Sequence, residues 1–122
     1  MMLIDSDIFI DFFRGVNEAV LLINKYADDI IFSSITEAEL LAGKTCNDPE
    51  ERERLFHVLA QFEKIPVDNP LVQTAGDMRR KYGLALPDAI IAASAVITDS
   101  TLITRNIKNF EIIKELKVKK PY

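Results

Sequence analysis

Residues 1–13 read MMLIDSDIFIDFF, and this stretch decides the fold. Met1 to Ile4 is a short apolar run, which predicts a buried strand. It ends abruptly at Asp5-Ser6-Asp7. Apolar residues then return at positions 8, 9, 12 and 13, a helical spacing that stops at Gly15. A buried strand that ends in carboxylates and turns directly into a helix is the opening of a βαβ unit. In a parallel sheet, ligands collect beyond the C-terminal strand ends.

The pattern continues along the chain. Ile30 to Ser33 and Lys64 to Val67 predict further strands, and Thr101 to Thr104 a fourth. Phe110 to Ile113 is a candidate fifth. Helices are predicted over 18–26, 36–43, 48–62, 70–82 and 87–96, the fourth ended by Gly83. Ser34-x-x-Glu37 and Thr36-x-x-Glu39 are overlapping capping-box patterns for the second of these. Strands alternating with helices predict an α/β fold, a Rossmann-like three-layer α/β/α arrangement around a parallel sheet of four or five strands. No repeat or linker divides the chain, so one domain over 1–122 is expected.

Composition narrows the function. Hydrophobic residues make up 48% of the chain, which fits a globular core. No apolar run approaches the ~18 residues of a membrane span, and no signal peptide is visible, so a cytoplasmic protein without membrane contact is expected. One cysteine, Cys46, and one histidine, His57, rule out a disulfide framework and a zinc-ligand set. The net charge is −4, which disfavours indiscriminate nucleic-acid binding. Yet residues 105–122 carry six basic residues against two acids. That basic stretch and Arg79-Arg80-Lys81 are the candidate contacts for a polyanion backbone, a solvated tail being the plainer reading of the former.

The acids are the candidate chemistry. Asp5 ends the first strand, Glu37 and Glu39 follow the second, and Asp88 opens the apolar helix AIIAASAVI. Singly, each has an ordinary role: a helix cap for Asp5, a helix-dipole contact for Asp88, half of a capping box for either glutamate. Glu37 and Glu39 project roughly 200° apart on a helix, so only one can face a shared site, and spacing does not choose. Carboxylates crowded at one rim repel unless a cation neutralises them. An oxygen-only donor set points to Mg²⁺ or Mn²⁺, and so to phosphate-ester chemistry. Past the fourth strand, Arg105 is a candidate phosphate contact and Asn106 a candidate ligand or water holder, a simple turn being the alternative. Thr104 and Ser6, beside these acids, complete the candidate substrate contacts.

Four segments, LIDSDIFIDFFRG (3–15), SSITEAELLAG (33–43), LPDAIIAASA (86–95) and LITRNIKNFE (102–111), together resemble the PIN-domain ribonucleases in this order, and most closely the VapC-type toxins of toxin–antitoxin pairs. The resemblance implies a Mg²⁺- or Mn²⁺-dependent endoribonuclease acting on RNA, tRNA and mRNA being the candidate classes. It implies a homodimer and a cognate antitoxin that lays a helix in an apolar groove, with 36–62 (Leu40, Leu41, Leu55, Leu59) as the candidate surface. It selects Glu39 over Glu37 and assigns Asp5, Glu39 and Asp88 to the metal, with Asn106 as the fourth catalytic position. Two departures stand out. Asn109 occupies a place where many relatives carry Asp, and Asp7 one where they carry Asn or a small residue; Asp7 is expected to face solvent. Three other readings compete. Asp5-Ser6-Asp7 superficially fits a haloacid-dehalogenase-type phosphatase, but Gly-Thr-Leu does not follow it. A receiver-type switch would carry its acceptor Asp later in the chain. A degenerate, non-catalytic PIN domain that binds RNA or a partner is favoured by Asn109.

Overall fold

A computed structural model describes residues 1–122. Strands and helices run in the order β1 (Met2–Ile4), α1 (Ser6–Phe13), α2 (Asn17–Lys25), β2 (Ile30–Ser33), α3 (Ser34–Leu41), α4 (Pro49–Leu59), β3 (Glu63–Ile65), α5 (Asn69–Tyr82), α6 (Leu86–Ile97), β4 (Thr101–Ile103), α7 (Ile107–Phe110) and β5 (Lys117–Lys119). The five strands form one sheet in the order β3-β2-β1-β4-β5, every pair parallel. The chain winds outward from β1 to β3, then crosses back to build β4 and β5 on the other side. The reversal creates a topological switch point between β1 and β4, the place where open α/β sheets bind ligands.

Strand alternation divides the core into two layers. Leu3, Ile31 and Leu102 project to one face, against Leu71, Ala75 and Met78 of α5 and Ala89, Ala92, Ala93 and Ala95 of α6. The alanines let α6 lie close to the sheet. Ile4, Ile30, Phe32 and Ile103 project to the other face, against Ile8 and Phe9 of α1, Ile23 of α2 and Leu55 and Leu59 of α4. Phe9 is fully buried and meets Phe32 edge-on at 5.9 Å between ring centroids. These layers make the expected α/β/α arrangement.

Local chemistry sets most boundaries. Asp48 caps α4 by accepting from the Glu50 amide, with Pro49 in the first turn. Gly83 ends α5 at φ +70°, a conformation that costs glycine little. Two expectations are corrected. Neither capping box forms: Ser33, the last residue of β2, caps α3 by accepting from Ile35, so Ser34 and Thr36 lie inside the helix. Residues 110–113 are not the fifth strand. Phe110 closes α7, and Phe110 and Ile113 fill the core, while β5 is the lysine-flanked Lys117–Lys119. A short apolar run does not distinguish strand from helix by itself.

Removing the Phe9 ring leaves a hole between α1 and β2 that this layer cannot close. Phe9→Ala is expected to lower the unfolding free energy by about 3–5 kcal/mol in urea titration, with an unchanged slope. Leu21→Ala, at a side chain 60% exposed, should change it by less than about 0.5 kcal/mol.

Candidate active site

The site grows from the register of the two central strands. Ile4 pairs with Ile103, and the Asp5 amide donates to the Ile103 carbonyl at 3.1 Å. This places Asp5 directly beside Thr104. Asp5 is also the N-cap of α1, accepting from the Ser6 amide at 2.8 Å through Oδ1. Its Oδ2 accepts from Thr104 Oγ1 at 2.9 Å. Capping and cluster membership are therefore two uses of one side chain.

Asp7 is turned inward, contrary to expectation. Its Oδ2 accepts from the Arg105 amide at 3.0 Å and lies 3.4 Å from Thr104 Oγ1. Its Oδ1 is buried without any hydrogen-bond partner. The loop after β4 supplies the donors that draw Asp7 in. Asp11, one helical turn further along α1, lies on the same face and extends the network. Arg105 Nε sits 3.1 Å from Asp11 Oδ2 and 3.9 Å from Asp7 Oδ2. The Tyr122 hydroxyl donates to Asp11, and burial together with the Asp11 charge raises the phenol's pKa.

Glu39 and Asp88 approach from the other side of the switch point. Burial pushes the Glu39 carboxyl up, and the neighbouring charges of Asp88 and Asp7 push it further, against a contact from the Ser6 side chain. Glu37 instead faces away and pairs with Lys64 at 3.2 Å. Asp88 Oδ2 accepts from Asn109 Nδ2 at 3.2 Å. The position where relatives were expected to carry Asp thus holds a donor that satisfies Asp88.

Not every expected residue reaches the acids. Thr104 is fully buried, so it touches no substrate; it orients Asp5 and accepts from the Asn106 amide at 3.0 Å. Arg105, expected at a phosphate, has its guanidinium engaged by Asp7 and Asp11. Asn106 makes no side-chain capping bond to α7 and lines a neighbouring cleft with Arg105 and Lys108. In the candidate groove over 36–62, Leu40, Leu55 and Leu59 are core residues at 7%, 5% and 2% exposure. The surface feature there is a hollow of about 350 Å³ lined by Ile10, Phe13, Leu40 and Leu55, with Glu39 at its edge. Asp11 and Tyr122 were missed in the sequence. The Asp7-x-x-x-Asp11 spacing on α1 is the signal that could have found Asp11; the partner at residue 122 has none.

Electrostatics decide what the cluster wants. Burial, then the Asp7 charge and more weakly Glu39, push Asp5 from 3.8 up to about 6, against hydrogen bonds from Thr104 and Ser6. Asp7 is raised mainly by burial. No three acidic, His or Cys side chains form a ready-made metal cage. The fit to a cation is nonetheless good in kind. The donors are all carboxylates, they destabilise one another when ionised, and one buried oxygen of Asp7 has no partner. An open arrangement suits Mg²⁺, which keeps several waters and takes one or two carboxylates.

The raised Asp5 has a sign for stability. Its folded pKa lies above the unfolded value, so its contribution is fully present below about pH 4 and is lost as pH rises to about 6. Without divalent ions, Asp5→Asn is therefore expected to stabilise the chain at neutral pH by on the order of 2 kcal/mol. Thermal melts at a series of pH values should show the gap closing towards pH 4. A gap that does not vary with pH would contradict this electrostatic account.

Residues 2–116 match the family model for the PIN domain. Ribonuclease VapC10 of Mycobacterium tuberculosis is 33% identical over 124 residues, covering 96% of this chain and 91% of the relative. Among solved structures, a toxin–antitoxin complex from Klebsiella pneumoniae contains a chain 33% identical, with a TM-score of 0.88 and coverage of 100% and 98%. A DNA-bound VapBC from Salmonella typhimurium shares the fold at a TM-score of 0.89 and 19% identity, with coverage of 99% and 98%. The dehalogenase and receiver readings fall with these matches. The chain belongs to the PIN-domain family, among its VapC-type members.

Proposed function

We propose that this chain is a toxin-type endoribonuclease that hydrolyses RNA with the help of a divalent cation. The observation that carries the reading is the cluster at the β1–β4 switch point, where burial and the charges of Asp7 and Glu39 raise the Asp5 pKa, and burial and the charges of Asp88 and Asp7 raise that of Glu39. Such repulsion is kept where a cation relieves it. The kinship with Ribonuclease VapC10 supports RNA as substrate, and the kinship with toxin–antitoxin complexes supports a cognate antitoxin as partner. A homodimer and a cytoplasmic setting belong to the same proposal, as does one PIN-like domain over 1–122. No helix is long and apolar enough to cross a membrane.

Asp5, Glu39 and Asp88 would hold Mg²⁺ or Mn²⁺, which supplies Lewis-acid activation of water and charge neutralisation at the phosphate when bound. The chain's own groups do the positioning. Thr104 fixes the Asp5 carboxylate towards the switch point, and the Ser6 amide holds its other oxygen. Asn109 fixes Asp88. One carboxylate of the cluster would take the proton of the attacking water. Water oxygen bonds to phosphorus in line with the departing O3′, the P–O3′ bond breaks, and a proton returns to O3′. The products carry a 5′-phosphate and a 3′-hydroxyl, and the ribose 2′-hydroxyl takes no part.

The second reading, a PIN domain that binds without cutting, rests on Asn109 in contact with Asp88. One experiment separates the two. Purified chain incubated with labelled single-stranded RNA and Mn²⁺ should yield 5′-phosphate ends, with EDTA abolishing cleavage. Asp5→Asn and Asp88→Asn should each reduce the rate by on the order of a hundredfold or more. Cyclic 2′,3′-phosphate ends, or activity that survives both substitutions, would exclude the mechanism. Absence of cleavage by the parent chain would favour the binding-only reading.

A further inference from the structure

Beside the acid cluster lies a second feature with the opposite charge. A cleft of about 470 Å³ is lined by Arg105, Asn106, Ile107, Lys108, Glu111 and Lys120. Three of these six are cations, in a chain whose net charge is −4. The Arg105 charge is already compensated by Asp7 and Asp11. Lys108 and Lys120 are different: both are exposed and neither is in an ion pair, Glu111 on the same lining included. The basic groups at 79–81 are occupied. Arg80 pairs with Asp77, Lys81 with Glu115, and Arg79 donates to the Leu84 carbonyl.

The cleft is continuous with the acids at both ends of its lining. Lys108 also lines the hollow that contains Asp88 and Asn109. Arg105 touches Asp7. A chain of phosphates held over Asp5 and Asp88 therefore meets Lys108 on leaving the cluster, and Lys120 beyond it. Arg105 is held through Nε by two carboxylates and stays half-exposed beside the cleft, and a planar cation of this kind can stack on a base. The tied β4–α7 loop makes one wall and the segment after β5 makes the other.

Resting on the ribonuclease reading, we propose that this cleft is the track for the RNA backbone flanking the cleaved bond, with Lys108 and Lys120 as its phosphate contacts. Two lysine–phosphate contacts release counterions, so their removal has a defined salt signature. The test is fluorescence anisotropy of a fluorescein-labelled single-stranded RNA across a salt series, with Asp5→Asn protein in Mg²⁺ so that binding is read without cleavage. Lys108→Ala/Lys120→Ala in that background should bind about tenfold more weakly, and the slope of log affinity against log salt should fall by about 1.4. The charge-matched control is Lys25→Ala/Lys117→Ala, since Lys25 precedes β2 and Lys117 opens β5, both towards the N-terminal ends of the parallel strands and away from the acids at the C-terminal ends. It should keep most of the affinity.

Equal affinity and slope for the two double variants would overturn the proposal, as would the lack of any RNA binding by the Asp5→Asn protein. In the otherwise unaltered chain, the cleft double variant should raise KM while leaving kcat nearly unchanged. Cleavage by the parent with no effect of the lysines sinks the track alone. A lysine effect on binding with no cleavage by the parent supports the track and sinks the nuclease reading.

Discussion

The pairing of β1 with β4 is the constraint on which the rest depends. These strands are far apart in sequence, and their register sets Ile4 against Ile103. One step beyond that pair, Asp5 and Thr104 emerge together at the end of the sheet, joined by a 2.9 Å hydrogen bond. A shift by one residue would turn Leu102 and Ile103 to the wrong faces and separate Asp5 from its donor. The two-layer core therefore enforces the site. The apolar groups that stabilise the sheet also fix where its carboxylates must stand.

That placement runs against stability. Asp5 and Glu39 are both raised by burial and by each other's neighbours, and Asp7 by burial. A fold selected for stability alone would not bury acids at one rim. The surrounding donors relieve only part of the strain: Thr104 for Asp5, the Arg105 amide for Asp7, Asn109 for Asp88. Local rules broken without full compensation are the mark of a functional site. The same logic separates Glu39 from Glu37, which is conventionally neutralised by Lys64.

Much of this was legible in the sequence, and the failures have physical causes. β2 over Ile30–Ser33 and the stop of α5 at Gly83 follow from β-branched content and left-handed backbone. β5 was invisible because an edge strand flanked by lysines has no apolar signature. The capping boxes failed because α3 begins at the very end of β2, which hands the cap to Ser33. The acids' positions at strand ends could be read, but their orientations could not. Asp7 points inward because of an amide and a hydroxyl nearly a hundred residues away, donors that no local pattern announces.

Asp7, Asp11, Arg105 and Tyr122 form a chain of contacts that ties α1, the loop after β4 and the segment after β5 together. Its position explains why extra acids sit on α1. Asp11 is only 8% exposed, and burial of a lone carboxylate there would be costly. Arg105 supplies the counter-charge, and its rigid planar head suits contact with two carboxylates better than a lysine would. By pairing with Arg105, these acids compensate its charge and leave Lys108 and Lys120 as the unpaired cations of the adjoining cleft. One rim of the sheet thereby carries two opposite electrostatic features side by side: a cluster of buried carboxylates, and a cleft lined by three cations. The division follows from the β1–β4 register, because that pairing brings α1 and the β4–α7 loop within reach of each other.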